Sequence, residues 1–219
     1  MSGNKRAESP PPHQPYNRVY INQHGEVGVD LMLIGDYNAG KTSIIQRFVE
    51  GTFDNNVRCT MGHDFTVKHV WIDRSEVNLR LWDTYGGERY RGPGRSYYRH
   101  CHCVIIVYDV TNICTFENIE KIWLRNIEEY GSNDLAVMIM GTKCDLPGRQ
   151  VDYVTAKKFA DSLDIPLIET SSLTGYGIDR AIMSGAAMAM DKLLENVSNV
   201  WGRECSESYR KADTSCQLT

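Results

Sequence analysis

Gly35-Asp36-Tyr37-Asn38-Ala39-Gly40-Lys41-Thr42 is the stretch on which the fold turns. It fits the spacing G-x-x-x-x-G-K-[ST], in which glycines let successive backbone N–H groups wrap an anion at a helix N-terminus. Its flanks agree with that use. VGVDLMLIG, Val27 to Gly35, reads as a buried strand that delivers the chain to the turn. From Lys41 onward Ile44, Ile45 and Phe48 share one helical face, and Gly51 is the expected stop. Strand, glycine turn and helix together are the context in which this spacing holds phosphates. Lys41 is expected to bridge the outer phosphates and the Thr42 hydroxyl to hold Mg²⁺. Gly35, Asn38, Ala39, Gly40 and Ser43 complete the loop's contacts.

The rest of the chain alternates. Asp64 to Asp73 and Glu76 to Asp83 read as two strands joined by a short turn, hence antiparallel neighbours. Cys103 to Asp109 and Ala136 to Gly141 are short apolar runs, as expected of central parallel strands covered on both faces. Between them Phe116, Ile119, Trp123, Ile127 and Tyr130 recur at helical spacing, with Gly131 as the cap. Ala156 to Leu163 reads as a short helix, Ile165 to Thr170 as a strand, and Ile178 to about Val197 as a final helix. That final helix carries Ile178, Ala181, Ile182, Gly185, Ala189 and Leu193 on one stripe. The expected fold is α/β: a doubly wound, six-stranded, mostly parallel sheet with one antiparallel edge strand. Ligands of such sheets lie at the C-terminal ends of the strands. Residues 1–26 read as a flexible N-terminal arm, 27–197 as the folded domain and 198–219 as a flexible C-terminal tail.

Bulk composition narrows the partners. The 219 residues are 42% hydrophobic and 24% charged, with net charge -4, so no basic field recommends nucleic acid. No apolar run approaches the roughly 18 residues of a membrane span. Seven cysteines without a disulfide spacing suit a reducing, cytoplasmic setting. His100-Cys101-His102-Cys103 resembles a metal motif. Neighbours on a strand point to opposite faces, however, so these four are read as strand-edge residues.

Three further stretches serve the same ligand. Thr60, in CTMGHDF, has a hydroxyl that reaches Mg²⁺ when its loop folds over a triphosphate. Asp83, in WDTYGGERY, closes a strand where a carboxylate holds Mg²⁺ through water; an ordinary strand-end carboxylate is the alternative. Gly86 follows, with a backbone N–H for the γ-phosphate. Lys41, Thr60 and Gly86 are thus the groups expected to act on that phosphate, and Thr42, Thr60 and Asp83 those expected at the metal. Base choice rests on Thr142-Lys143-Cys144-Asp145. A carboxylate at Asp145 accepts two N–H bonds from the guanine edge and rejects adenine, which would leave the acid unpaired. Lys143 lays its stem along the ring. Ser171, Ser172 and Leu173 can line the guanine oxygen, the two serines through backbone N–H groups. Phe53 stands where an aromatic stacks edge-on to the base, or else packs in the core.

With those motifs in place the chain resembles a Ras-superfamily small GTPase of the Rab family over about residues 27–197. MGHDF, LRLWD, ERYRG, SYYRH and VYDVT are similar to Rab signatures, with Met61 and His63 departing from the usual Ile and Val. VDYVTAKKFADSLDIPLIETSS resembles the secretory-pathway Rab acting between endoplasmic reticulum and Golgi. The resemblance implies the P-loop small GTPase fold, GTP or GDP with Mg²⁺, and a monomeric switch on the cytosolic face of secretory membranes that regulates vesicle traffic. It also implies an exchange factor, a GTPase-activating protein and effectors. By position, Phe65, Trp82 and Tyr97 match the aromatic triad that Rab effectors read, although half-buried packing would account for them too.

Several positions depart from that pattern. Gly87 replaces the catalytic glutamine, Tyr85 an alanine beside the γ-phosphate, and Tyr37 a small phosphate-loop residue. Thr142 replaces an asparagine, which removes an amide expected to contact the base and brace the phosphate loop. Leu173 stands where a lysine is common. Slow intrinsic hydrolysis follows, and a GTP-bound interaction module that scarcely hydrolyses is the alternative. An adenine-nucleotide enzyme is disfavoured by Asp145. Cys216-Gln217-Leu218-Thr219 has the C-a-a-X frame for prenylation, but Gln217 is not aliphatic and Thr219 is atypical. Three basic residues balance three acidic ones from 198 to 219, so the tail adds no electrostatic anchor.

Overall fold

The computed structural model describes residues 20–21, 27–54, 63–72, 75–85 and 95–201. A two-residue strand, β1 (Tyr20–Ile21), precedes β2 (Val27–Gly35), which ends at the glycine turn before helix α1 (Lys41–Glu50). Strands β3 (His63–Ile72) and β4 (Ser75–Thr84) follow, then the short helix α2 (Arg95–His100) and β5 (Cys103–Asp109). Next come α3 (Ile113–Asn118), a π-helical turn (Ile119–Leu124) and α4 (Arg125–Tyr130), continuous along the chain. The order closes with β6 (Ala136–Thr142), α5 (Tyr153–Ser162), β7 (Leu167–Glu169) and α6 (Ile178–Trp201).

Six strands lie in the order β3-β4-β2-β5-β6-β7. Neighbours are parallel except β3, which runs antiparallel to β4 at the edge. This is the expected doubly wound sheet. An addition to it is β1, whose Tyr20 and Ile21 pair antiparallel with Gly28 and Val27. It falls within the segment read as an arm. The rest of that arm and most of the 198–219 tail lie outside the described residues, while α6 continues past the expected end at Val197 to Trp201.

The core divides by strand parity, because successive side chains face opposite sides of a sheet. Val29, Leu31 and Leu33 of β2 join Ile44 and Phe48 of α1 and the α6 stripe on one face. Met32 and Ile34 join Tyr98, Ile119, Trp123, Ala156 and Ala160 on the other. Burial of this kind stabilises by roughly 25 cal/mol per Å² of apolar surface removed from water. Gly185 has a packing reason: a Cβ there would meet the Leu31 side chain at 3.2 Å, so its absence lets α6 lie close on the sheet.

Helix ends follow local chemistry. Asp152 caps α5 by accepting the Thr155 N–H at 2.9 Å. Asn112 caps α3 through the Cys114 N–H. Gly51 stops α1 in the left-handed conformation, φ 72°, that glycine adopts without strain. Gly131 also ends its helix, but in extended geometry.

Candidate functional site

The motifs converge at the C-terminal ends of β2, β4, β5 and β6. The turn after β2 is pressed on its neighbour: Gly35 pairs in register with Val107 of β5. Beyond it Asn38 (φ 60°) and Gly40 (φ 97°) take left-handed conformations, and α1 begins with no side chain capping it. Its first N–H groups are therefore not satisfied by a side chain of the N-cap, which suits an anion. Lys41 is buried, and its Nζ donates to the carbonyls of Gly35 (2.8 Å) and Asp36 (2.9 Å). The ammonium thus folds back over the loop it serves.

Thr42 and Asp83, two of the three residues expected at the metal, lie in direct contact. The Thr42 hydroxyl donates to Asp83 Oδ2 at 2.7 Å across 41 residues of chain. Thr84, the next residue, fixes the end of β4 by donating to the Leu33 carbonyl at 2.6 Å. A hydroxyl and a carboxylate this close are hard oxygen donors of the kind Mg²⁺ selects, so this pair fits that ion. Thr60, Gly86 and Gly87 lie outside the described residues. Tyr85 is half-buried just after β4, and Tyr37 is 58% exposed at the phosphate loop.

The base motif is tied directly to the phosphate loop. Lys143, itself left-handed at φ 61°, places Nζ 2.8 Å from the Asn38 carbonyl and 2.7 Å from Asp109 Oδ2. Burial pushes the Asp109 carboxyl up. The Lys143 ammonium and the Thr111 hydroxyl and N–H outweigh it and hold Asp109 below the ordinary carboxylate range. Thr142 corrects one expectation. Losing the asparagine does not lose the brace, because the Thr142 hydroxyl lies 2.7 Å from the Ala39 carbonyl and 3.0 Å from that of Tyr108. A Cβ on Gly40 would still sit 3.7 Å from this hydroxyl, so loop and strand are in ordinary contact.

Asp145 is exposed at the rim, inside a turn closed by the Leu146 N–H on the Lys143 carbonyl. The loop after β7 is held by Ser171. Its N–H donates to the Tyr176 carbonyl at 2.9 Å, its carbonyl accepts from Gly175, and its hydroxyl accepts from Thr174. That N–H is committed inside the loop, which corrects its expected role toward the base and leaves Ser172 and Leu173. Ser43 is half-buried in the first turn of α1, and Phe53 half-buried two residues past Gly51.

Two groups of residues emerge that the motifs did not announce. Asp36 receives Asn118 Nδ2 and Trp123 Nε1, and Asp109 anchors Lys143. A strand-ending carboxylate in VYDVT was the available signal for the second; nothing in the local pattern signals the first. On the same face of the sheet, toward its β3 edge, Phe65, Trp82 and Tyr97 do form a cluster, with ring centroids 4.8 and 5.7 Å apart. Buried Asp30 fixes its centre, taking Trp82 Nε1 at 2.9 Å and Arg80 at 2.5 Å. His102, from the run that resembled a metal motif, is a core group whose Nδ1 accepts the Asp30 N–H at 2.9 Å. Burial pushes the thiol of Cys103, the next residue, up to about 12.

Comparison with known proteins agrees with this geometry. The family model described as Ras family matches residues 30–191. The chain is similar to the Ras-related protein Rab-1A of Dictyostelium discoideum, 38% identical over 164 residues that cover 74% of this chain and 81% of that protein.

Proposed function

This chain belongs to the Ras family and is Rab-like, and on that premise we propose that it is a slow guanine-nucleotide switch acting in vesicle traffic. The supporting observation is the pair of bonds from Thr142 and Lys143 to Ala39 and Asn38. They fasten the base motif to the phosphate motif, so one ligand that carries both a base and phosphates spans the two. Lys41 and the α1 N-terminus hold the phosphates, Asp145 accepts the guanine N–H groups, and Lys143 covers the ring. Thr42 and Asp83 hold Mg²⁺, with Thr60 joining in the triphosphate state; the ion neutralises charge on the phosphate oxygens. Phe65, Trp82 and Tyr97 form the effector surface, and an exchange factor and a GTPase-activating protein complete the cycle. Among the described residues no helix is long and apolar enough to cross a membrane. Attachment to the cytosolic face of secretory membranes falls to Cys216, which lies outside the described residues.

Base selectivity is tested by competition. The wild type is expected to prefer GTP to ATP. Asp145→Ala is expected to weaken GTP by on the order of 1.5–3 kcal/mol, because the base N–H groups lose a charged acceptor. Equal wild-type affinity for the two nucleotides would sink this reading.

Hydrolysis joins a water oxygen to the γ-phosphorus as the bond to the bridging oxygen breaks, giving GDP and phosphate. Lys41 and backbone N–H groups, Gly86 among them, stabilise the charge, but Gly87 has no side chain to orient the water. The Gly87 position also favours the second reading, an interaction module that stays GTP-bound. Single-turnover rates separate them. Tyr85→Ala with Gly87→Gln is expected to hydrolyse GTP at least tenfold faster than the wild type, since oriented water is worth on the order of 1–2 kcal/mol or more. A wild type as fast as that double variant has another way to position water and is not a slow switch.

A further inference from the structure

Asp36 puts a negative charge inside a loop built to hold anions. It is 4% exposed, and both carboxylate oxygens are occupied from one helical segment. Asn118 Nδ2 donates to Oδ2 at 2.6 Å and Trp123 Nε1 to Oδ1 at 2.9 Å. The Asp36 backbone belongs to the loop itself: its carbonyl accepts the Lys41 ammonium at 2.9 Å and the Ala39 N–H at 3.2 Å. Trp123 is 1% exposed and packs in the same core cluster as Ile34, Ile106 and Tyr108.

Asn118 and Trp123 are five residues apart. On an α-helix that separation turns them about 140° from each other, so they leave on different faces. The chain from Ile119 to Leu124 is wound as a π-helix instead. Its hydrogen bonds run i→i+5, so each turn takes in more residues and positions five apart swing back toward one face. The wider winding is what lets a single carboxylate receive both donors.

We propose that Asn118, Trp123 and the π-helical turn between them form a clasp that positions the phosphate loop through Asp36 and sets how tightly the protein holds the β-phosphate of its nucleotide. The proposal rests on the guanine-nucleotide reading above. Two hydrogen bonds to a buried carboxylate disperse its charge next to an anion site. They also fix the residue whose carbonyl holds Lys41, so slack in the clasp is passed to the ammonium. Asp36, Asn118 and Trp123 act here as positioning residues.

The test uses the full chain in Mg²⁺ buffer and compares GDP with GMP, which lacks the β-phosphate. The ratio of the two affinities reports the loop and cancels the base. Trp123→Phe keeps an aromatic ring in the core and removes the N–H donor. GDP release is expected to rise about tenfold and the GDP-over-GMP preference to fall about tenfold, as for losing one bond to a charged group. The GTP-over-ATP preference is expected to stay unchanged. Adding Asp36→Asn to Trp123→Phe removes the charge that lost its donor and is expected to recover most of the GDP-over-GMP preference. A merely structural Trp123 lowers the unfolding midpoint and leaves that preference where it was; this result in folded Trp123→Phe overturns the clasp. Should Trp123→Phe fail to fold, half-buried Asn118→Ala carries the same comparison, with a threefold or greater fall expected. An unchanged ratio there overturns the proposal. A wild type that binds neither GDP nor GTP overturns the nucleotide reading and the clasp together, and shows itself before any variant is compared.

Discussion

Gly35→Ala is expected to cost more than about 4 kcal/mol of folding stability, through backbone strain and overpacking at one buried position. A Cβ on Gly35 would lie 2.2 Å from the Val107 carbonyl oxygen and 3.1 Å from its carbon. Neither side can move away. Val107 is Gly35's ladder partner between two buried strands, and displacing it breaks the β2–β5 pairing under the phosphate loop. The backbone adds its own penalty, since φ is 143°, where an L side chain is strained. Against a typical total of roughly 5–15 kcal/mol, such a loss leaves little folded protein. Gly148→Ala is the control. It has a comparable problem of conformation, φ 83°, but nothing within 4 Å of the added carbon. It is expected to lose only about 1 kcal/mol. Denaturant midpoints for the two variants separate packing from conformation, and similar losses at both sites would mean that the Val107 contact does not constrain Gly35.

That contrast explains what could be read from the chain beforehand. The Gly35–Thr42 turn, its entering strand and its exiting helix were legible because glycine spacing and apolar period are local signals. The strand Val27–Gly35 and the helix beginning at Lys41 lie where periodicity puts them. The six-stranded, mostly parallel sheet with one antiparallel edge strand followed from the alternation of elements; the order of its strands did not. Helix α2, with six residues, is too short to generate a period, and the two-residue β1 likewise. The π-helical turn was hidden for a different reason. Phe116, Ile119, Trp123, Ile127 and Tyr130 give an ordinary helical stripe, and a change of winding inside it leaves no mark on composition. Side-chain bonds across long separations were the least legible. Asn118 and Trp123 reach Asp36 across 82 and 87 residues, and Thr142 reaches Ala39 across 103. Thr142 was read by what the missing asparagine would have done. The structure shows that a hydroxyl at this strand end reaches the Ala39 carbonyl of the phosphate loop, so the bracing task survives the substitution.

Lys41→Met is expected to weaken GDP and GTP by on the order of a hundredfold to a thousandfold, about 3–4 kcal/mol, more than any other single change at the site. Methionine preserves the length and most of the volume of the buried stem, so the core beneath α1 is little disturbed. What disappears is the ammonium, and it has two duties. In the structure it closes the loop by donating to the Gly35 and Asp36 carbonyls. Toward a nucleotide it is the cation among the phosphates, where a charge-assisted bond is roughly twice as strong as a neutral one. The two duties separate experimentally. Loss of the carbonyl contacts alone lowers the unfolding midpoint of the nucleotide-free protein and weakens every ligand of the loop modestly. Loss of the phosphate contact scales with the ligand's phosphates, so affinity for guanosine should be nearly unchanged while GDP and GTP suffer the full effect. Titrating the three ligands against wild type and Lys41→Met reads this directly. If Lys41→Met binds GDP within threefold of the wild type, the ammonium serves only to close the loop, and the phosphates are held by the α1 N-terminus and the metal pair without it.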